Sequence, residues 1–216
     1  MMRLVFLGPP GVGKGTHADI LAKDLEIKHY STGDIFRQIL KESSALSKKL
    51  DKYVNSGELV PDEMVFETVK EVLSNESGEN GWLLDGYPRN INQAELLDRF
   101  LESRGEELDF AVYLYASPEV LIKRLTNRRV CSQCNAIYNL VNNPPKKEGV
   151  CDKCGGALIQ REDDKEDTIK KRISIFKKEF QPLEEYYENE GILLKVSAEG
   201  NLKDIADRIK EGLKVG

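Results

Sequence analysis

The strongest constraint on this chain lies at its start, where Leu4-Val5-Phe6-Leu7 runs straight into Gly8-Pro9-Pro10-Gly11-Val12-Gly13-Lys14-Gly15-Thr16. A short apolar strand entering a glycine-rich turn that ends in lysine is the pattern of a phosphate-binding loop. Glycines let successive backbone N–H groups turn inward with no Cβ in the way. The helix expected from about Gly15 to Leu25 aims its positive end at the same point. Gly11, Val12, Gly13, Lys14, Gly15 and Thr16 are therefore candidates to cradle phosphates, with Lys14 as the point charge. The plain alternative is a glycine-rich turn carrying a surface lysine, and the strand before and helix after argue against it.

The Ser or Thr that usually follows this lysine and ligates Mg²⁺ is replaced by Gly15, with Thr16 one place later. Lys-Gly-Thr here is similar to the nucleoside monophosphate kinases. It argues against a GTPase-type switch, in which that hydroxyl holds the metal directly.

Further strand candidates are Ile27–Ser31, Gly81–Leu84, Phe110–Tyr115 and Ile192–Val196, after a first at Arg3–Leu7. Leu83-Leu84 and Val112-Tyr113-Leu114 are apolar at consecutive positions, as in strands buried on both faces. Helical stretches at Asp62–Leu73, Asn92–Glu102, Pro118–Arg128 and Leu202–Leu213 alternate with them. That alternation predicts an α/β fold, a parallel, doubly wound, five-stranded sheet. Ligands of such sheets sit beyond the carboxyl ends of the strands, where both the glycine-rich loop and Asp85 fall. A long helix is expected from Glu166 to about Glu188, with Ile169, Ile173, Phe176, Phe180 and Leu183 as one apolar stripe. Pro182 is expected to kink it or end it nearby. Two stretches stand outside the sheet pattern: Thr32–Val60, mostly helical, and Asn127–Asp164, rich in loops. No repeat, low-complexity tract or flexible linker interrupts the chain.

Composition narrows the ligand. The 216 residues suffice for one domain with insertions. Net charge is −5 with a sequence pI near 5.3, which disfavours a nucleic-acid surface. An anionic substrate must then be met by a local cluster of cations. Charged residues reach 32%, above the roughly 25% usual in soluble domains. Solvated helix faces account for this as readily as heat-adapted ion-pair networks do. No apolar run approaches the roughly 20 residues that span a bilayer, and the first apolar stretch is too short for a signal peptide. A soluble, cytoplasmic protein is expected.

Cys131-x-x-Cys134 and Cys151-x-x-Cys154 are separated by sixteen residues. The spacing points to a four-cysteine tetrahedral zinc site, with no position left open for catalysis. Another metal, disulfides or unligated thiols are the alternatives, disfavoured by a reducing compartment. Zinc ribbons often bind nucleic acid, but the segment around Asn142-Asn143-Pro144-Pro145-Lys146-Lys147 is only mildly basic.

Other motifs surround the loop: Ser31-Thr32-Gly33-Asp34, Gly57-Glu58-Leu59-Val60-Pro61-Asp62, Asp85-Gly86-Tyr87-Pro88-Arg89 and Arg124-x-x-x-Arg128-Arg129. With four cysteines in an insertion, the whole chain resembles the adenylate kinases, in their long bacterial form with a zinc-binding lid. The resemblance implies Mg-dependent, reversible phosphoryl transfer from ATP to AMP, giving two ADP. Residues 1–30, 61–126 and 165–216 would form the core, 31–60 the AMP-binding flap and 127–164 the lid. Gly11 to Thr16 would bind ATP phosphates, Arg128 would meet ATP from the lid hinge, Ile137-Tyr138 would cover its adenine and Gly200 would lie against it. Thr32, Arg37, Glu58, Leu59, Val60, Gly86, Tyr87, Pro88, Arg89 and Gln93 would bind AMP. Arg161 and Arg172 would bridge AMP and the transferred phosphate. Lid and flap would close to exclude water.

The residues support such chemistry on their own terms. Phosphoryl transfer needs positioning and cations on the equatorial oxygens, and guanidinium forks fit phosphate bidentately. Arg124 and Arg128, four apart, are expected on one helix face, where they can converge. For any single arginine, a surface ion pair is the alternative. Asp85 can hold Mg²⁺ through water, or else cap a turn. Asn90 and Asn92, departures from the family pattern, are expected to matter little. His17 is expected on an exposed first turn as a neutral surface residue, and His29 as structural. The resemblance also suggests a monomer. The rival readings are a kinase with a UMP or CMP acceptor or a GTP donor, and a zinc-ribbon protein binding nucleic acid or a partner.

Overall fold

The computed structural model describes residues 1–41, 50, 51, 53, 56, 58–75 and 80–215. The elements run β1 (Met2–Leu7), α1 (Lys14–Asp24), β2 (Lys28–Ser31), α2 (Thr32–Lys41), α3 (Asp62–Ser74), β3 (Gly81–Asp85), α4 (Ile91–Glu102), β4 (Phe110–Tyr115) and α5 (Pro118–Thr126). Then come β5 (Arg128–Cys131), β6 (Ile137–Asn139), β7 (Leu158–Ile159), a 3₁₀ turn (Glu162–Asp164), α6 (Glu166–Asn189), β8 (Leu193–Ser197) and α7 (Leu202–Leu213).

Five strands form one parallel sheet in the order β2-β3-β1-β4-β8. Its side chains alternate between two cores. Val5, Leu7, Trp82, Leu84 and Ala111 meet Val69 of α3, Leu97 of α4 and Leu183 of α6. Leu4, Phe6, Leu83, Val112 and Leu114 meet Leu21 of α1 and Ile209 of α7 on the other face. A sheet covered on both faces needs unbroken apolar strands, which is why Leu83-Leu84 carries no alternation. This doubly wound α/β arrangement matches the expected five-stranded sheet. It brings the loop after β1 and Asp85 at the end of β3 to the same carboxyl edge.

One local expectation is corrected. The helix expected over Pro118–Arg128 ends at Thr126, and Arg128 opens β5 instead. The chain leaves the helix because Arg128, Arg129 and Val130 pair antiparallel with Asn139, Tyr138 and Ile137. The long helix α6 ends at Asn189, one residue past its expected end, with Pro182 inside it. Burial of Phe180, Leu183 and Tyr187 holds the helix across the missing N–H donor.

β6-β5-β7 form a separate antiparallel sheet. Its buried cluster consists of Cys131, Tyr138 and Cys151, with Ala136 and Leu158 packed against them. In the 32–60 stretch, α2 is followed by helical positions 50, 51, 53 and 56, and no strand occurs there among the described residues. The rest of 42–57, including Gly57, lies outside them. No helix among the described residues is long and apolar enough to cross a membrane.

Candidate functional site

A cavity of about 650 Å³ opens at the carboxyl edge of the sheet, lined by Gly11–Thr16, Asp85, Gly86, Ile137, Tyr138 and Gly200. Gly13 caps α1 in the left-handed region, φ 105°, so the loop can turn its backbone into the cavity. Gly15 answers a second demand: a Cβ there would lie 3.2 Å from Asp85 Oδ2. The missing hydroxyl after Lys14 is thus tied to the close approach of a carboxylate. Lys14 Nζ donates to Gly8 O at 2.7 Å and Pro9 O at 3.1 Å, folded back over its own loop. Burial lowers its pKa to about 8, although the charge of Asp85 opposes the shift.

Six arginines share the cavity with Lys14: Arg37, Arg89, Arg124, Arg128, Arg161 and Arg172. Burial lowers Arg161 to about 9 and also lowers Arg124 and Arg172. Arg89 stays accessible inside the cleft, yet the surrounding protein and then the charge of Arg172 bring it to about 10. The only carboxylates lining the same cavity among the described residues are Asp34 and Asp85. Such crowding is stable only with anionic partners, and a polyphosphate supplies them. Burial raises Asp85, against the pull of Lys14. One buried carboxylate with Thr16 nearby is too few donors for a resident cage. It suits a magnesium ion that keeps waters and phosphate oxygens as its other ligands.

Several arginines are already aimed. Arg128 makes a bidentate pair with Asp164 at 2.7 and 2.5 Å, and Asp164 is 0% exposed. Arg172 Nη1 lies 2.8 Å from Asp163 Oδ2 and donates to Asp163 O. Arg161 lies 3.7 Å from Asp34, and its Nε has no partner although buried. The 3₁₀ turn thus supplies two carboxylates that orient two cations, a role the sequence reading did not assign. Its only trace in sequence is the run Arg161-Glu162-Asp163-Asp164. Arg124 and Arg128 do share the cavity, but not through one helix face. Arg124 reaches from α5 to Val12 O at 2.9 Å and Ala198 O at 2.8 Å, clamping the glycine-rich loop to the segment before Gly200.

A smaller adjoining pocket is lined by Thr32, Arg37, Glu58, Leu59, Val60, Arg89, Gln93 and Arg172. Pro88 lines a third, beside Lys14 and Leu59. Tyr87 is buried in the core with its hydroxyl donating to Gln93 O at 2.9 Å. Gln93 is 1% exposed. Its Oε1 accepts from Arg89 N at 2.8 Å and its Nε2 donates to Asp62 Oδ1 at 2.7 Å. Asn90 and Asn92 also donate to Asp62, and Asn90 Oδ1 caps α4 by accepting from Gln93 N. The expectation that these asparagines matter little is therefore corrected, because they help hold the carboxylate that orients Gln93.

His17 is not on an exposed turn but 2% exposed, and burial beside Arg124 lowers it to about 4. It is neutral, as expected, though for the opposite reason. His29 bridges Asp19, 2.7 Å from Nδ1, and Asp85, 3.9 Å from Nε2, as a structural residue would.

The four cysteine sulfurs all lie within 4.8 Å of one another. Cys131 and Cys154 approach to 3.4 Å, Cys134 and Cys151 to 3.6 Å. Tetrahedral Zn–S bonds of about 2.3 Å place sulfurs about 3.8 Å apart, so the donor set fits zinc. The Tyr138 hydroxyl's hydrogen bond brings the Cys151 thiol down to about 6. Four thiols this close cannot all ionise without a cation between them.

Known proteins are similar to this one over nearly the whole chain. A family model described as adenylate kinase matches residues 6–192. An adenylate kinase of Caldicellulosiruptor bescii is 49% identical over 213 residues, 99% of this chain and 98% of that protein. One of Thermotoga petrophila is 48% identical over 216 residues, 100% of this chain and 97% of its own. One of Thermosipho africanus is 46% identical over 214 residues, 99% of each.

Proposed function

The chain belongs to the adenylate kinase family, and from that premise we propose how its residues move a phosphoryl group. The reaction is reversible transfer of the ATP γ-phosphoryl to AMP, giving two ADP. The observation that carries the assignment is the convergence of Lys14 and six arginines on one cavity that adjoins the Thr32–Gln93 pocket.

ATP phosphates lie in the Gly11–Thr16 loop, and AMP occupies the adjoining pocket with its base against Gln93 and the Leu59-Val60 backbone. Glu58, Gly86, Tyr87 and Pro88 shape that pocket, while Thr32, Arg37 and Arg89 receive the acceptor phosphate. On the donor side, Ile137, Tyr138 and Gly200 flank the adenine. Lys14 follows the transferring group, and Arg124, Arg128, Arg161 and Arg172 neutralise its equatorial oxygens. Asp85 is the carboxylate placed to hold the magnesium brought in with ATP, whose chemistry is to neutralise phosphate oxygens. No proton need be moved by a histidine, and both histidines sit in structural surroundings.

Residues 31–60 act as an AMP-binding flap and 127–164 as a lid over the core of 1–30, 61–126 and 165–216. The approach of Asp34 to Arg161 supports their meeting over the substrates. The knuckle of Cys131, Cys134, Cys151 and Cys154 holds structural zinc. The net charge of −5 supports a monomer working on soluble nucleotides in the cytoplasm, with neither nucleic acid nor membrane as partner.

A coupled ADP-formation assay with ATP or GTP against AMP, CMP and UMP tests the assignment. ATP with AMP should give the highest kcat/KM, and a preference for UMP, CMP or GTP would move the chain to another specificity.

A further inference from the structure

We propose that Tyr138 joins the cysteine knuckle to the donor-nucleotide pocket, so that metal occupancy and ATP affinity are coupled through its hydroxyl. The proposal rests on the placement of the ATP base at Ile137-Tyr138.

Tyr138 occupies the centre of β6 and is 6% exposed. Its hydroxyl has two partners, both in the second cysteine pair. It lies 3.5 Å from Cys151 Sγ and accepts from Asp152 N at 2.8 Å. Accepting from that N–H leaves its own proton free to go to the sulfur. The same residue lines the large cavity together with Ile137, Asn139 and Arg128. One residue therefore borders the nucleotide cavity while its hydroxyl is anchored on the knuckle.

Among the described residues its apolar surroundings are thin, with only Ala136 and Leu158 packed against its cluster. The buried cluster there is Cys131, Tyr138 and Cys151, so two of its three members are metal donors. A cation held by Cys151 fixes the sulfur that meets the hydroxyl, so the metal steadies Tyr138. The backbone carries that position further, because Tyr138 pairs with Arg129 and Asn139 with Arg128 in the β5–β6 ladder. A hydrogen bond to a metal-bound thiolate ordinarily changes metal affinity by about 10–100-fold. Any factor by which metal improves ATP binding must equal the factor by which ATP improves metal binding.

That reciprocity gives a test independent of turnover. Zinc affinity of the full chain is measured by competition with a chelator of known affinity, alone, with saturating Mg-ATP and with saturating AMP. ATP should tighten zinc binding severalfold while AMP leaves it unchanged. Tyr138→Phe keeps the ring and deletes the hydroxyl. It should weaken zinc about tenfold, abolish the ATP effect and raise the Kd for ATP but not for AMP. Equal zinc affinity with and without ATP in the wild type, or an undiminished ATP effect in Tyr138→Phe, overturns the coupling. Ile137→Ala separates the underlying placement from the coupling. If it leaves ATP binding unchanged, the base does not lie there. If it weakens ATP while Tyr138→Phe behaves as wild type, the placement stands and the coupling fails. A melt of each variant at full zinc loading verifies that the fold is kept.

Discussion

The five-stranded parallel sheet and the three-stranded antiparallel sheet of the 127–164 insertion, proposed above as a lid, solve the same problem with different physics. The sheet buries Leu4, Phe6, Leu83 and Val112 on one face and Val5, Leu84, Leu97 and Leu183 on the other. Each such side chain removed from water contributes about 1.5–3 kcal/mol, so the sheet stands without a staple. The insertion's buried apolar residues are Val130, Cys131, Tyr138 and Cys151, and an apolar core of that size cannot offset the entropy of ordering 38 residues, Asn127–Asp164. A metal held by the four cysteines would supply what those side chains do not, and folding of that segment would then be coupled to metal binding. The lesson is that the chemistry-bearing loop sits on the self-sufficient region. Arg128 and Arg161 sit on the dependent one, and Arg172 pairs with its Asp163.

Lys14→Met separates the two most sharply. It lies at the head of α1 over a fully formed core, so turnover should fall by at least about 10³-fold, some 4 kcal/mol of barrier. The melting temperature should stay within about 2 °C. Turnover within threefold of wild type would remove Lys14 from the transfer step.

The converse change is Cys131→Ser with Cys134→Ser. Zinc should be lost and the melt should split, with a first step confined to the lid. Each kcal/mol lost corresponds to about 2–4 °C in a domain of this size. Measured well below that step, transfer should persist at a reduced level, since Lys14 and Arg89 lie outside the lid. Metal analysis, calorimetry and a low-temperature assay decide it. A folded variant with no transfer at saturating substrates would show that the metal positions Arg128 and Arg161 and is more than a staple.

Gln93→Ala tests the sheet side alone. It removes the acceptor of Arg89 N and one of three side chains that donate to Asp62, which keeps Asn90 and Asn92, a loss of about 1–3 kcal/mol. The KM for AMP should rise about tenfold and the preference for AMP over CMP and UMP should relax, with the KM for ATP unchanged. Unchanged acceptor preference would exclude Gln93 from base selection.

The smallest effect is a pH dependence. Lys14 titrates near 8 when folded and at its ordinary higher value when unfolded. Below about pH 8 it is charged in both states and its burial costs stability. Above it the folded state sheds the proton first, so stability of the ligand-free protein should rise from about pH 8 to about pH 10. Phosphate binding needs the charged form, so the Kd for ATP should increase about fivefold between pH 8 and pH 9. Lys14→Arg should flatten that limb. A limb that survives the substitution would belong to another group.

Much of the sheet was legible because its signals are local. The apolar run before Gly8, the lysine after Gly13 and the unbroken pair Leu83-Leu84 each depend on neighbours a few residues away. The paired Cys-x-x-Cys turns are local too, and their sulfurs do meet. Arg128 was misread for an equally local reason. Its spacing from Arg124 fits a helix, and nothing nearby shows that Tyr138 and its neighbours draw the chain into a ladder. His17 was misread because burial under Arg124 depends on a helix more than a hundred residues later.

From the amino-acid order alone come the element types, the phosphate loop, the metal-binding spacing and the candidate arginines. Each is encoded in periodicity, in glycine's backbone freedom or in ligand chemistry at short range. The partners of those arginines came from the fold. Arg128 with Asp164, Arg124 with Ala198 and Gln93 with Asp62 are separated by 36, 74 and 31 residues. A hydrogen bond is selected by distances of about 3 Å, and only packing of the sheet, helices and lid brings such distant residues that close.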